Sequence, residues 1–227
     1  MGRRVFFVCG TDTEVGKTFV SCTLLRCGRQ RGLGVYALKP LASGGNFHPE
    51  HQRLENEDAL ALAEASSVKL LYEQVNPVCL EAAVAPHLAA KQAGRVLRLN
   101  ALLGQVRGAL SVPADLVLIE GAGGWKTPLD LVARTGLNHL AQALGFPVLV
   151  VVGLRLGCIN HALLTIEAIQ ADGLAVAGWV ANVLDADMPL LNENIASLRS
   201  LIQAPCLGVV GRDDRSGSGL DLSLLGF

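Results

Sequence analysis

GTDTEVGKT, residues 10–18, follows directly on the apolar run VFFVC, residues 5–9, and leads into TFVSCTLL, residues 18–25. This stretch decides the fold. Strand, glycine-bearing loop and helix start, in that order, make a phosphate-binding loop, because backbone N–H groups and a helix N-terminus together cradle an anion. Gly16, Lys17 and Thr18 match the second half of the common pattern G-x-x-x-x-G-K-[ST]. The first glycine of that pattern would fall at position 11, which is Thr11; Gly10 comes one residue early. The loop also carries Asp12 and Glu14, two acids where a polyanion is to sit. Lys17 is placed to reach the β- and γ-phosphates of a nucleotide and Thr18 to offer its hydroxyl to Mg²⁺.

Outward from the loop, apolar strand runs alternate with helical patterns. Strands are predicted over 4–9, 35–40, 115–120, 147–153, 176–182 and 206–210, and helices over 17–31, 56–65, 85–92, 99–110, 137–144, 159–171 and 190–202. In the first helix Val20, Leu24 and Cys27 fall on one face. Such alternation predicts an α/β fold with a mostly parallel sheet covered by helices on both faces, and the loop after its first strand makes it P-loop NTPase-like. With 227 residues, no internal repeat and no long linker, one domain over 1–227 is expected. The loops ASGGNFHPEHQRLE and GRDDRSGSGLDL are polar and glycine-rich, and the second reads as mobile.

Composition excludes several classes. A net charge of −1 and a pI near 6.5 give no electrostatic footprint for nucleic acid. The longest apolar run, FPVLVVVGL at 146–154, is too short to span a bilayer, and the N-terminal apolar run stops at Cys9, too soon for a secretory signal. Six cysteines without a C-x-x-C pair read as reduced thiols of a cytoplasmic protein.

Mg²⁺ takes carboxylates as well as a hydroxyl. Glu120 ends the apolar run DLVLIE and precedes Gly-Ala-Gly-Gly, at a strand end where ligands collect in open α/β sheets. It is either a metal ligand or a capping, solvated acid. Lys39, beside Pro40 and shortly before Ser43, is either an exposed strand-end charge or a cation aimed at the loop. Asp58 sits in a first helical turn, where an acid also favours the helix dipole.

Together GTDTEVGKT, KPLASG, NEDALAL, EGAGGW, GLRLGCINHALLT and GWVAN resemble, in order, the motifs of the dethiobiotin synthetases, and the resemblance runs to about residue 210. The longer loop spacing is that family's form. The resemblance implies an ATP- and Mg²⁺-dependent ligase that builds the ureido ring of dethiobiotin from 7,8-diaminopelargonic acid and CO₂, acting as a homodimer. It places Lys17 and Lys39 on the γ-phosphate and carbamate, and Thr18, Asp58 and Glu120 on Mg²⁺. Glu14, Val15, Gly16, Phe19, Gly121, Ala122 and Gly123 would line the nucleotide phosphates, and Asn182, Val183, Gly211 and Arg212 its base, with Asn182 reading adenine. Thr13, Ser43 and the backbone at Gly123 would position the diamine and carbamate. Asn160, in the turn GLRLGCIN, would hold the substrate carboxylate across the subunit boundary. Thr13 and Glu14 face a diamine in this reading, which suits an acidic loop, while Asp12 forms a local turn.

Three departures from the family pattern stand out: Gly211 and Arg212 where a proline commonly frames the adenine, Val183 where a polar residue is usual, and Lys126 after Trp125. The first two predict a less constrained base pocket. A nucleotide switch of the partition type is the rival reading, but its second lysine, five residues before Lys17, is here Asp12. A thiol enzyme using Cys158 with His161, or a metal on His48 and His51, is less favoured than a half-buried thiol and a solvated loop.

Overall fold

The computed structural model describes residues 2–227. The chain opens with β1 (Arg4–Gly10), α1 (Lys17–Gln30), β2 (Val35–Leu38), β3 (Leu41–Ser43), the hairpin of β4 (Asn46–His48) and β5 (Arg53–Glu55), and α2 (Glu57–Ala65). Then come α3 (Tyr72–Val75), β6 (Val78–Leu80), α4 (Pro86–Gln92), α5 (Leu99–Ala109) and β7 (Leu116–Glu120). β8 (Pro128–Asp130), β9 (Thr135–Gly136), α6 (Leu137–Leu144), β10 (Val148–Leu154), α7 (Cys158–Ala171), β11 (Val176–Val183), α8 (Leu191–Leu201) and β12 (Cys206–Val210) complete the regular part, and a 3₁₀ turn spans Leu222–Leu225.

Six strands form one sheet in the order β12-β11-β10-β1-β7-β2, and every pairing in it is parallel. The runs are apolar throughout because both faces are covered. On one face Phe7, Cys9, Val117, Ile119 and Val150 pack with Ala162 and Ile166 of α7 and Leu198 of α8; on the other Phe6, Val8, Leu118 and Val151 pack with Val20 and Leu24 of α1 and Leu62 of α2. Successive residues of a strand thus feed opposite cores, as the two-residue period requires.

The expected strand over 35–40 ends early, and a further short strand, β3, follows it. β2 stops at Leu38, because Pro40 has no N–H to give a ladder. The backbone N–H of Lys39 turns instead to the Val75 carbonyl at 2.7 Å, and β3 pairs with β6 in a separate small sheet. The tail is also corrected. Gly217, φ +69°, is packed so close to α1 that a side chain would meet Cys27 Sγ, and that thiol donates to the Gly217 carbonyl at 3.6 Å. Leu220, Leu222 and Leu225 are buried in the α1 face of the core, so apolar residues after the polar stretch pin it down. No helix among the described residues is long and apolar enough to cross a membrane.

Candidate active site

Because the sheet is parallel, the carboxyl ends of β1, β7, β2 and β10 open on one edge, and each delivers its next residue there. Register makes this specific. Leu38 pairs with Ile119, and Val8 with Glu120, so Lys39 emerges beside Glu120 and both lie next to the loop that follows β1. The cleft formed there has a volume of about 790 Å³.

The loop's turns need two left-handed residues, Glu14 at φ +57° and Gly16 at φ +81°. Gly16 also has no room for a side chain: a Cβ would lie 2.1 Å from Asn182 Nδ2. That amide donates to the Val15 carbonyl at 2.9 Å, so the end of β11 clamps the loop from behind. Asp12 does form the expected turn, accepting from the Thr13 N–H at 2.8 Å, and its other oxygen pairs with Arg155 from the turn after β10. Lys17 is buried and donates to the Asp12 carbonyl at 3.2 Å. Burial first, and the charge of Lys39 second, push its ammonium below the usual lysine range.

Lys39 is not an exposed strand-end charge. It is 4% exposed and donates to Glu120 Oε1 at 2.6 Å and to Asp58 Oδ2 at 3.1 Å. Thr18 Oγ1 donates to the same Glu120 oxygen at 2.7 Å. Glu120 is wholly buried, so it is no solvated cap, and its second oxygen, Oε2, has no partner. Asp58 reaches the cluster from the second residue of α2, whose N-terminus is capped by the Asn56 side chain accepting from Ala59 N–H. Ser43 Oγ is likewise buried without a partner, on the cleft wall.

Thr13, Glu14, Gly16, Lys17, Thr18 and Phe19 line the cleft, and so do Lys39, Ser43, Asp58, Ala122 and Gly123. Val15, Gly121, Asn182, Val183, Gly211 and Arg212 do not. Val15 is a core residue beneath the loop, and Val183 is buried at the end of β11. Gly211 and Arg212 stand half-buried and exposed just after β12. Asn160 lies exposed in the first turn of α7, outside the cleft, and makes no cap for its helix. Cys158 is buried in the core and His161 exposed, so no thiol–imidazole pair is assembled. Residues 83–86 also line the cleft, a contribution the sequence reading missed because Ala83, Val84 and Ala85 carry no chemical signal. Lys126 donates to both oxygens of Asp172, at 2.8 and 2.6 Å, which gives its departure a structural role.

The family model described as "AAA domain" matches residues 4–218. The chain is 54% identical to the ATP-dependent dethiobiotin synthetase BioD of Cellvibrio japonicus, over 99% of either chain, and 52% identical to that of Pseudomonas aeruginosa, over 98% of either. Among solved structures it resembles the cell division protein FtsY of Thermotoga maritima, with a TM-score of 0.56 at 16% identity, spanning 98% of this chain and 67% of that one. It also resembles the signal recognition particle receptor FtsY of Elizabethkingia anophelis bound to GDP, with a TM-score of 0.53 at 17% identity, spanning 99% of this chain and 62% of that one. At such identities these two speak for the fold alone.

Proposed function

The chain belongs to the ATP-dependent dethiobiotin synthetase family, and from that membership and the cleft together we infer how it works as a single domain over 1–227. It joins CO₂ to 7,8-diaminopelargonic acid and closes the ureido ring of dethiobiotin with ATP as co-substrate. CO₂ forms a carbamate on one amine with loss of a proton. A carbamate oxygen attacks the γ-phosphorus and ADP leaves. The second amine attacks the resulting mixed anhydride, and phosphate departs as the ring closes.

One observation carries the assignment of roles: Thr18 and Lys39 converge on Glu120, and Asp58 pairs with the same Lys39, in the cleft that Thr13 and Ser43 also line. The donor set fits Mg²⁺, since it consists of hard oxygens and leaves Glu120 Oε2 buried and unpartnered. Thr18, Asp58 and Glu120 would hold the ion, which would supply positive charge against the terminal phosphates. Lys17 faces the β- and γ-phosphates, whose charge offsets the burial of its ammonium. Lys39 stabilises the charge on the carbamate and the transferring phosphoryl group. Thr13, Glu14 and Ser43 accept from or orient the amines. Glu14 and the loop backbone from Gly16 to Phe19, with Gly121, Ala122 and Gly123, surround the phosphates. Asn182, Val183, Gly211 and Arg212 edge the base.

Asn160 cannot serve its own cleft in this arrangement. The protein acts as a homodimer in which α7 of one subunit offers Asn160 and neighbouring N–H groups to the substrate carboxylate bound by the other. Six free cysteines suit a reducing, cytoplasmic setting.

The test of the reaction is phosphate release with ATP, Mg²⁺ and bicarbonate, with and without the diamine. Release that depends on the diamine is expected; equal release without it would favour the switch reading. The shared site is tested by mixing Lys39→Ala with Asn160→Trp subunits, each folded and inactive alone. Activity returns in the mixture if sites are shared, and a mixture that exchanges subunits yet stays inactive overturns it.

A further inference from the structure

The β4–β5 hairpin lies outside the reaction scheme, yet it gathers metal-ligating side chains. In an antiparallel pair, residues two apart share a face with those opposite them. His48 pairs with Arg53 and Asn46 with Glu55, so the side chains of 46, 48, 53 and 55 share one face. The connecting turn bends back through Gln52 at φ +53° and lays His51 on that face. The imidazoles of His48 and His51 stack with centroids 4.1 Å apart at an interplanar angle of 14°. One ring nitrogen from each and a carboxylate oxygen of Glu55 lie within 4.8 Å of one another.

The arrangement has unmet bonding capacity. His48 Nδ1 is buried without a partner. Glu55 is 7% exposed and its Oε1 takes hydrogen bonds from Arg53 Nε at 2.8 Å and His51 Nδ1 at 2.7 Å. Arg53 has other holds as well, on Glu73 and over the Tyr72 ring at 4.5 Å, so it can cede the carboxylate without losing its place. Two imidazoles and one carboxylate suit a borderline divalent ion, whereas Mg²⁺ prefers oxygen throughout.

We propose that His48, His51 and Glu55 form a second metal site, distinct from the Mg²⁺ cluster, for a divalent transition-metal cation of the zinc class with water in its open position. On binding, the ion would replace the hydrogen bond between His51 Nδ1 and Glu55, with that ring's proton carried on Nε2 instead. It would brace the segment that joins the hairpin to the cleft. Glu55 adjoins Asn56, whose side chain donates to the Ser43 carbonyl at 3.2 Å and caps the helix bearing Asp58.

The experiment is a Co²⁺ titration of the full chain in excess Mg²⁺ without nucleotide, read by visible absorption and repeated with Zn²⁺ by calorimetry. One ion per chain with a nitrogen/oxygen-ligand spectrum is expected. His48→Ala and His51→Ala should each weaken binding by about tenfold or more. Both should keep the circular dichroism and the Mg²⁺-ATP turnover of the parent. Cys79→Ser, at a thiol packed against Gly45 at the hairpin's foot, should keep the spectrum. Absence of saturable binding, binding retained in both histidine variants, or a thiolate charge-transfer band lost with Cys79→Ser would each overturn the proposal.

Discussion

Lys39 Nζ lies 2.6 Å from Glu120 Oε1, with the lysine side chain 5% and the glutamate 0% exposed. Burial alone would lower the lysine's pKa, but the charges of Glu120 and then Asp58 outweigh it and hold it above the usual value. The cleft therefore keeps a fixed positive charge between two carboxylates, next to the hydroxyl of Thr18. Electrostatic stabilisation requires such a group to be in place before the phosphoryl group moves.

Lys39→Leu should lower turnover by about 10²–10³-fold, the usual effect of removing one preorganised charge. It also leaves Glu120 buried and unpaired, at a cost of about 3–5 kcal/mol in the metal-free protein. Thermal unfolding in chelator should show the loss and Mg²⁺-ATP should recover much of it. A variant with parental melting temperature and turnover would return Lys39 to a passive role.

Gly16→Ala should abolish nucleotide binding, since the new methyl meets Asn182 Nδ2 and the backbone there is at φ +81°. Adding Asn182→Ala removes the clash but not the backbone strain, about 1–3 kcal/mol for a non-glycine residue. Calorimetry with ATP should find partial recovery in the double variant. No recovery would mean that strain, rather than the Asn182 contact, sets the requirement for glycine.

Asp172 accepts from Trp125 Nε1 at 2.7 Å, from Lys126 and from Asn138. Burial raises its carboxyl, but those donors outweigh burial and leave it below the ordinary 3.8. A depressed folded value stabilises the protein above the unfolded pKa, and the benefit is lost as pH falls through the folded one. Asp172→Asn should cost about 1–3 kcal/mol at neutral pH. Urea unfolding should find that penalty constant from about pH 7 to about pH 5 and shrinking only in stronger acid. A penalty that fades already near pH 6 would assign the effect to another group.

The base position that we assign to Asn182 and Gly211 should be permissive. A Cβ on Gly211 would meet only Asp214 Cβ, at 3.6 Å, so nothing there is tightly framed. Phosphate release with GTP or CTP should be measurable beside that with ATP. A preference for ATP above about 10³-fold would show that backbone groups near Asn182 and Gly211 read adenine on their own.

The sheet and the phosphate loop were legible because each rests on local signals: apolar runs buried on both faces, and Gly16-Lys17-Thr18 after a strand. Lys39 and Glu120 showed their strand ends but not their contact, which depends on the register of Leu38 with Ile119. Ser43 was expected at the site, yet the short β3–β6 ladder that carries it was not, since three residues give no period. The Asp12–Arg155 pair joins residues 143 apart and could not be read from either stretch. Asp172 escaped notice for the same reason: its partners come from elements it meets only in three dimensions.

The strap across α1 has a consequence for the newborn chain. Cys27 and Gly217 are 190 residues apart, and the ribosome adds about 5–20 residues each second, so roughly 10–40 s pass between the emergence of the helix and that of its cover. Through that interval the flank of α1 that Leu220, Leu222 and Leu225 later occupy has no native occupant. The helix that bears Lys17 and Thr18 is made long before the segment that seals it, which leaves that flank for a chaperone to hold in the meantime.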